Sequence, residues 1–185
     1  MKILIVSQYY NPEQFQINDI APELVKRGHE VTVLCGVPNY PKGVVFTGYE
    51  NEESRVNKEK EYQKLTGVVH VDQTPRGNGS LKLIRNYISF ALSSKKKVKE
   101  MIADGEKYDI ILGYQLSPIT SMFATLEYKK LAGTPVIFYT LDLWPVSAEG
   151  MLKSKKNPLM WPINKISRKL YQAADRILVT SRPFI

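Results

Sequence analysis

The chain has 185 residues, 43% of them hydrophobic, which is enough for one sizeable core and favours a single globular domain. Its formal net charge of +8 favours a negatively charged partner such as lipid head groups, phosphates or nucleic acid. A single cysteine, Cys35, excludes an internal disulfide, and no stretch reaches the roughly 20 apolar residues that span a bilayer, so we expect neither secretion nor a transmembrane segment.

The first 35 residues predict a strand, a helix and a second strand. Residues 2–7 form an apolar strand, a helix covers about 14–27, and residues 30–35 form the next strand. Gly28 ends the helix, because glycine tolerates the positive φ of a helix C-terminus. The loop that follows, residues 36–50, contains two prolines and three glycines, and loops of this length are usually functional or mobile.

The rest of the chain alternates between strands and helices. Residues 57–73 alternate around Thr66-Gly67 and predict a short hairpin. Ser80 is predicted to cap a long helix that runs to about Ala103 and stops at Asp104-Gly105. Further strands are expected at 108–114, 135–140 and 176–180, with helices at 118–131 and 158–173 and an irregular segment or broken helix at 141–150. This order predicts an α/β fold with a doubly wound, mostly parallel sheet covered by helices on both faces.

Four of the predicted loops meet at one edge of such a sheet, because ligands bind beyond the carboxyl ends of parallel strands. They span residues 7–14, 36–41, 114–117 and 140–145 and are rich in Tyr, Asn, Gln and Trp. Aromatic faces beside amides suit a polyhydroxylated ligand, since sugars present C–H patches between their hydroxyls. We therefore predict that a substrate is bound by residues in or beside these loops, namely Gln8, Tyr9, Tyr10, Glu13, Gln14, Phe15, Asn18, Asn39, Tyr40, Tyr114, Gln115, Ser117 and Trp144.

Asp142 is the candidate catalytic carboxylate. It directly follows the strand at 135–140 and lies beside Trp144 and Pro145, and a partly apolar pocket tunes a carboxyl pKa for acid or base work. The alternative is an aspartate that caps the following turn. Trp144 is either a stacking platform or ordinary packing. Glu13 is a weaker candidate, for which a solvated loop charge is expected.

Several other site types are disfavoured. No G-x-G-x-x-G follows the first strand and no G-x-x-x-x-G-K-[ST] occurs, which argues against a dinucleotide site and a P-loop. His29 and His70 are the only histidines, and neither has a ligand-spaced partner, so no metal is expected. No nucleic-acid-binding module is recognisable.

Two basic segments predict contact with an anionic membrane surface. One is the second half of the long helix from Ser80, with Lys95, Lys96, Lys97 and Lys99. The other mixes Lys155 and Lys156 with Trp161, which resembles an interfacial helix. The alternative for the lysines of the long helix is a solvated face that complements the helix dipole.

Several short segments carry a resemblance to one enzyme family. They are Q-Y-x-x-P-E at Gln8–Glu13, KRGHEVTVL at Lys26–Leu34, P-N-Y-P at Pro38–Pro41, Gly48-Tyr49, D-L-W-P at Asp142–Pro145, and Ala174-Asp175-Arg176 before Val179-Thr180-Ser181. In these segments and their order the chain resembles the start of the family 4 glycosyltransferases of GT-B fold, in the branch that makes capsular or lipopolysaccharide sugars.

The resemblance implies that residues 1–185 are the Rossmann-like, acceptor-binding N-terminal domain of a two-domain enzyme. It implies retaining transfer of a hexosyl group from a nucleotide-sugar to a lipid-linked or growing glycan, without a metal or other cofactor. The nucleotide-binding domain with its E-x7-E element is not in this chain, so we expect this piece alone to be inactive. The expected location is the cytoplasmic face of the inner membrane, on anionic lipid, with no nucleic acid as partner.

The chain also departs from its relatives in two places. Many relatives have a glycine pair in the first loop, where this chain has Gln14-Phe15-Gln16-Ile17. Some have a histidine just after the strand at 135–140, where no histidine occurs here, and we predict that Asp142 activates the acceptor or stabilises an oxocarbenium ion instead.

Two alternative functions stay open. One is a non-enzymatic, membrane-associated partner subunit that supplies an acceptor site. The weaker one, a nucleotide-dependent epimerase or dehydrogenase, is disfavoured by the missing glycine fingerprint.

Overall fold

The computed structural model describes residues 1–62, 67–152 and 157–184. Six parallel strands form one sheet in the order β3-β2-β1-β4-β5-β6. The strands are β1 (Lys2–Val6), β2 (Glu30–Gly36), β3 (Gly67–Val71), β4 (Ile110–Gln115), β5 (Val136–Thr140) and β6 (Arg176–Val179). The helices are α1 (Ile17–Lys26), α2 (Glu52–Tyr62), α3 (Ser80–Ala103), α4 (Phe123–Ala132), α5 (Val146–Leu152) and α6 (Met160–Ala173), with 3-10 turns at Ile119–Met122 and Arg182–Phe184.

Each face of the sheet carries its own hydrophobic core. Leu4 and Val6 of β1 pack toward α3, α4 and α6, whereas Ile3 and Ile5 pack toward α1. Successive strand residues point to opposite faces, so a strand apolar at every position must be covered on both sides. Cys35 lies in the α1 core and is fully buried, as expected for a small apolar side chain. The predicted Rossmann-like α/β class is confirmed.

The predicted hairpin over residues 57–73 is wrong. Residues 57–62 belong to α2, and β3 pairs in parallel with β2, with Val33 opposite Val68. Residues 63–66, which include the predicted turn residue Thr66, lie outside the described residues. The segment 52–62 is rich in Glu and Lys, which favour a surface helix when no apolar alternation is present to form a strand.

The extent of α3 is confirmed, but its predicted cap is wrong. Ser80 is the first helical residue, and Gly79 precedes it at φ 94° without any side-chain cap. The apolar residues of this helix face two directions. Phe90 and Val98 are buried in the core, whereas Leu81, Ile88 and Leu92 are 75%, 51% and 62% exposed. At about 100° per residue, these three exposed side chains lie on one outward face.

Within the described part of the chain, no helix combines the length and the apolar character needed to cross a bilayer.

Candidate functional site

The carboxyl edge of the sheet gathers the loops that the sequence analysis singled out. The strand order reverses between β1 and β4, and open α/β sheets bind ligands at such a switch point. The loops after β1, β2, β4 and β5 each contain one cis peptide bond before proline: Asn11-Pro12, Tyr40-Pro41, Ser117-Pro118 and Trp144-Pro145. The loop after β3, residues 72–79, lies at the same edge as a fifth loop.

Glu13 is the buried carboxylate that ties the first two loops together. Its side chain accepts backbone N–H bonds from Tyr10 (3.3 Å), Asn39 (2.8 Å) and Tyr40 (2.7 Å). Burial raises the pKa of Glu13 to about 7, although these three donors act to lower it. The expectation of a solvated loop charge is therefore wrong, because Glu13 is only 2% exposed.

Asn39 continues this connection to the loop after β3. Its side chain is 1% exposed, and its Oδ1 accepts the backbone N–H of Arg76 at 2.7 Å. Its Nδ2 donates to the Val37 carbonyl at 2.8 Å. Gly43 lets the loop after β2 come close to the Arg76 backbone, because a Cβ at this position would overlap the Arg76 carbonyl oxygen. Glu13 and Asn39 thus hold three loops in one arrangement.

An aromatic cluster lies over this arrangement. The rings of Tyr9 and Phe15 stack with centroids 5.1 Å apart, and the Tyr40 ring lies 5.2 Å from each. Arg76 covers the Tyr40 ring at 5.2 Å and donates to the Tyr9 hydroxyl at 3.1 Å. Burial raises the pKa of the Tyr9 hydroxyl, so it stays protonated across the physiological range.

Buried side-chain amides also connect the first loop to the loop after β3. Gln8 donates to Gln73 and to Asn86, each at 3.0 Å. Asn86, in the first half of α3, donates to the Thr74 carbonyl at 2.6 Å, and Gln73 donates to the Val37 carbonyl at 2.9 Å. The loop that carries Arg76 is therefore bonded to α3 and to both neighbouring loops.

We call the space at the carboxyl edge between the Glu13–Arg76 network and the loops after β4 and β5 the cleft. The Glu13–Arg76 network forms one wall, and the other wall is built around Gln115 at the end of β4. Its Nε2 donates to the Asp142 carbonyl at 2.9 Å, and its Oε1 accepts from the Tyr171 hydroxyl at 3.2 Å. The Asp142 carboxylate accepts the Ser117 backbone N–H at 2.9 Å, so it bonds the loop after β4, whereas the alternative to a catalytic role had it cap the turn that follows it. Trp144 is 7% exposed and donates its ring N–H to the Ser117 hydroxyl at 3.0 Å, which favours packing over a stacking platform.

The predicted substrate-binding residues divide by exposure. Gln8, Tyr9, Tyr10, Asn39, Tyr114, Gln115 and Trp144 are buried, and Tyr114 hydrogen-bonds the backbone at the start of α1. Partly or fully exposed at the edge are Gln14, Phe15, Asn18, Tyr40 and Ser117, and the predicted catalytic Asp142 is also partly exposed. Direct substrate contact stays a prediction for all of them, and the buried group already has a positioning role.

Arg76 and Tyr87 are site residues that the sequence analysis missed. Tyr87 of α3 hydrogen-bonds Arg76, and burial raises its pKa, with the charge of Asp142 adding to that rise. Tyr87 therefore belongs to the same wall of the cleft as Arg76. The edge rule would have found this region if Gly67–Val71 had been identified as a parallel strand, because the loop after it ends at the same edge.

The predicted membrane-contact residues do not form one cluster. Lys95 and Lys99 both pair with Glu127 of α4, at 3.3 and 3.2 Å, and Lys96 and Lys97 pair with Glu100. Trp161, at the start of α6, is 71% exposed and lies beneath the Lys165 ammonium at 5.3 Å. Lys155 and Lys156 lie outside the described residues.

Over residues 1–62, 67–152 and 157–184, no group of three or more His, Cys, Asp or Glu side chains is arranged to hold a metal ion. A reaction without metal stays a prediction.

Comparison with protein-family models matches residues 15–184 of the chain to Glycosyltransferase Family 4. The matched segment contains β2–β6, α1–α6 and the site residues from Phe15 onward. A search of curated proteins finds no match.

We expect the stability of the chain to fall between about pH 5 and pH 7 because of Glu13. Its folded-state pKa of about 7 exceeds the ordinary value of 4.5, so the folded state binds this proton more tightly than the unfolded state. The resulting stabilisation is fully present below the ordinary pKa and is lost as the pH rises through 7. The free energy of unfolding should fall by up to about 1.4 kcal/mol per pH unit in this window.

Urea unfolding of the native chain, Glu13→Gln and Glu23→Gln at four pH values from 5 to 8 measures this effect. Glu13→Gln should flatten the pH dependence, whereas Glu23→Gln, which changes an exposed glutamate, should keep it. Glu127 and Asp175 have lowered pKa values, so the stability that they contribute is lost as the pH falls, at pH values below this window. Parallel pH profiles for all three proteins would contradict the assignment.

Proposed function

The chain belongs to glycosyltransferase family 4. From that premise we propose that it is the acceptor-binding domain of a retaining enzyme that moves a hexosyl group from a nucleotide-sugar to a lipid-linked or growing glycan. The pathway that we propose is the synthesis of a cell-surface polysaccharide, such as capsule or lipopolysaccharide. The observation that carries this proposal is that the family match begins at residue 15 and runs through the loops after β2, β3, β4 and β5, which form most of the cleft.

The cleft has the chemistry that a sugar acceptor needs. The half-buried rings of Phe15 and Tyr40 offer faces for the C–H patches of a sugar, and Ser117 offers a hydroxyl at the same edge. The buried residues behind them are already hydrogen-bonded to each other. A preorganised wall loses less conformational entropy when a ligand binds, which favours specificity for one acceptor shape.

Asp142 is the carboxylate that we place at the reacting atoms. Ser117 N–H engages one of its oxygens, and no hydrogen bond to the other is found among the described residues. In the proposed step the bond between the sugar C1 and the donor phosphate breaks, and a bond from C1 to the acceptor oxygen forms on the same face. The acceptor proton leaves toward the departing phosphate or Asp142, and the carboxylate stabilises positive charge at C1.

We propose that the nucleotide of the donor is held by a second Rossmann-like domain across the cleft, so that this chain alone does not complete the transfer. The first loop supports this division of labour. It presents Gln14, Phe15 and Gln16 where a close approach of donor phosphates to the backbone would require small residues.

The proposed place of action is the cytoplasmic face of the inner membrane, and the outward face of α3 supports it. The exposed Leu81, Ile88 and Leu92 are followed on the same face by Lys96 and Lys99, which stay more than half exposed although they pair with Glu100 and Glu127. An apolar stripe that continues into basic residues is typical of helices that lie on anionic membranes. Trp161, at the start of α6, would add a second contact.

In the complete enzyme, Asp142→Asn should lower kcat for sugar transfer by at least about 100-fold, because an amide cannot take a proton or balance positive charge at C1. Asparagine keeps an oxygen for the Ser117 N–H, so folding should survive. The matched control is Asp109→Asn, whose carboxylate also accepts a backbone N–H, from Lys2 at 2.7 Å, but at the opposite edge of the sheet.

The assay would use a panel of nucleotide-sugars with a membrane glycolipid acceptor, and NMR would establish the anomeric configuration of the product. The control should transfer at the native rate with retention. Near-normal turnover by a folded Asp142→Asn enzyme would contradict its catalytic role. An inverted product would contradict the retaining mechanism.

Binding to vesicles tests the membrane proposal. The native chain should sediment with phosphatidylglycerol vesicles but not with phosphatidylcholine vesicles, and less at high salt, because exposed charges are screened. Ile88→Ser combined with Leu92→Ser should weaken this binding at least about tenfold, since it removes apolar groups that would enter the bilayer surface. The control, Val44→Ser combined with Leu131→Ser, changes two equally exposed residues outside α3. Equal binding to both vesicle types would reject the proposal.

A further inference from the structure

An open pocket of about 490 Å³ lies between the loop after β2, the loop after β3 and the start of α3. Four basic side chains line it, Lys42, Arg76, Lys82 and Arg85, and none of its lining residues is acidic. The volume is within the range of small-ligand sites, and the charge favours a polyanion.

Several basic residues elsewhere in the fold are held in ion pairs, unlike three of the four cations that line this pocket. Lys95 and Lys99 pair with Glu127, Arg55 with Asp72, and Lys129 with Asp175. Among the described residues, Lys42, Lys82 and Arg85 form no ion pair with any carboxylate. Like charges repel each other, so three unpaired cations beside a fourth cost stability unless an anion joins them.

The pocket is held in shape by the network beneath it. Asn39 fixes the backbone of Arg76 through the 2.7 Å hydrogen bond, and the close contact of Gly43 with the Arg76 carbonyl brings Lys42 to the same wall. On the other side the Lys82 side chain lies against Gly77, where an added Cβ would be 2.5 Å from its Cδ. The backbone that carries the cations is therefore positioned before any ligand arrives.

The start of α3 adds to the positive potential of this pocket. No side chain caps the helix, and its first turn contains no acidic residue. The first backbone N–H groups of a 24-residue helix are left for another acceptor, and the helix dipole favours negative charge there. Gly77 and Asn78, just before this helix, line the pocket together with Lys82.

We propose that this pocket binds a diphosphate group, and that its source is the diphosphate of a lipid-linked acceptor. Four cations match the several negative charges of a diphosphate better than the charge of a single phosphate. Arg76 belongs both to the pocket and to the Tyr9–Tyr40 wall of the cleft, so a bound diphosphate adjoins the sugar site. Leu81 starts the outward apolar stripe next to Lys82, where a lipid chain can lie. The assignment of the source rests on the proposed function, whereas diphosphate binding itself does not.

Calorimetric titration of the chain with inorganic pyrophosphate tests the site directly. Pyrophosphate should bind at least about tenfold more tightly than orthophosphate or sulfate. Lys82→Ala combined with Arg85→Ala should weaken pyrophosphate binding at least about tenfold, and both residues are exposed, so the fold should be unaffected. The control, Lys107→Ala combined with Lys130→Ala, removes the same charge at exposed positions outside the pocket and should change the affinity less than about twofold.

Equal weakening by both pairs of substitutions would show attraction to bulk charge only and would overturn the proposal, as would a lack of pyrophosphate binding.

Geranyl diphosphate tests whether the diphosphate comes from a lipid-linked acceptor. It should bind more tightly than pyrophosphate, and Ile88→Ser with Leu92→Ser should remove only that increment. Equal affinity for the two probes would overturn the lipid-linked source. If Lys82→Ala with Arg85→Ala weakened binding to phosphatidylglycerol vesicles but not to pyrophosphate, diphosphate recognition would be overturned.

These titrations need no sugar transfer. A complete enzyme that transfers no sugar would refute the proposed function and leave a measured pyrophosphate site standing. An active enzyme whose chain binds no pyrophosphate would refute the pocket alone.

Discussion

The buried carboxylate of Glu13 is the interaction on which the arrangement of the cleft depends. Taking a carboxylate out of water is costly, and three backbone N–H donors offset this cost only in part, as the raised pKa indicates. Two of the donors, Asn39 and Tyr40, come from a loop 26 and 27 residues further along the chain. The loops that follow neighbouring parallel strands meet at the carboxyl edge, and backbone bonds from Gly36 to Gln8 and from Val37 to Val71 join them where they leave the sheet. Glu13 supplies a shared acceptor for two such loops, and Asn39 passes the connection on to Arg76.

The two walls of the cleft are held by separate networks. On one side the Glu13 and Asn39 bonds fix Tyr40 and Arg76, which complete the aromatic cluster with Tyr9. On the other side Gln115 joins the Asp142 backbone to Tyr171 of α6. Tyr87 of α3 adds to the first of these networks through its hydrogen bond with Arg76. Under the proposed function, the acceptor sugar meets walls that these hydrogen bonds position, and its diphosphate meets Lys42, Lys82 and Arg85, which form no ion pair among the described residues.

The elements that rest on local patterns could be predicted from the sequence. Continuous apolar runs gave β1, β4 and β5, and Gly28 and Gly133 have the positive φ values expected of helix ends. The hairpin prediction failed because Gly67–Val71 has the same alternation in a hairpin as in a parallel edge strand. Only its non-local pairing with β2 distinguishes the two. Glu13 was misjudged for the same reason, since its burial depends on N–H groups from distant loops. Arg76 was then missed because the loop that carries it was not recognised as following a parallel strand of the sheet.

Hydrogen exchange of the edge loops in Glu13→Ala compared with the native chain tests the role of this carboxylate most directly. If Glu13 holds the loops together, the amides of Asn39 and Tyr40 and that of Arg76 lose protection together, although Arg76 has no direct bond to Glu13. The α4 amides, which lie in the opposite core, keep theirs. A loss of protection confined to residues 10–14 would contradict the account, because it would mean that the loops after β2 and β3 are held without Glu13.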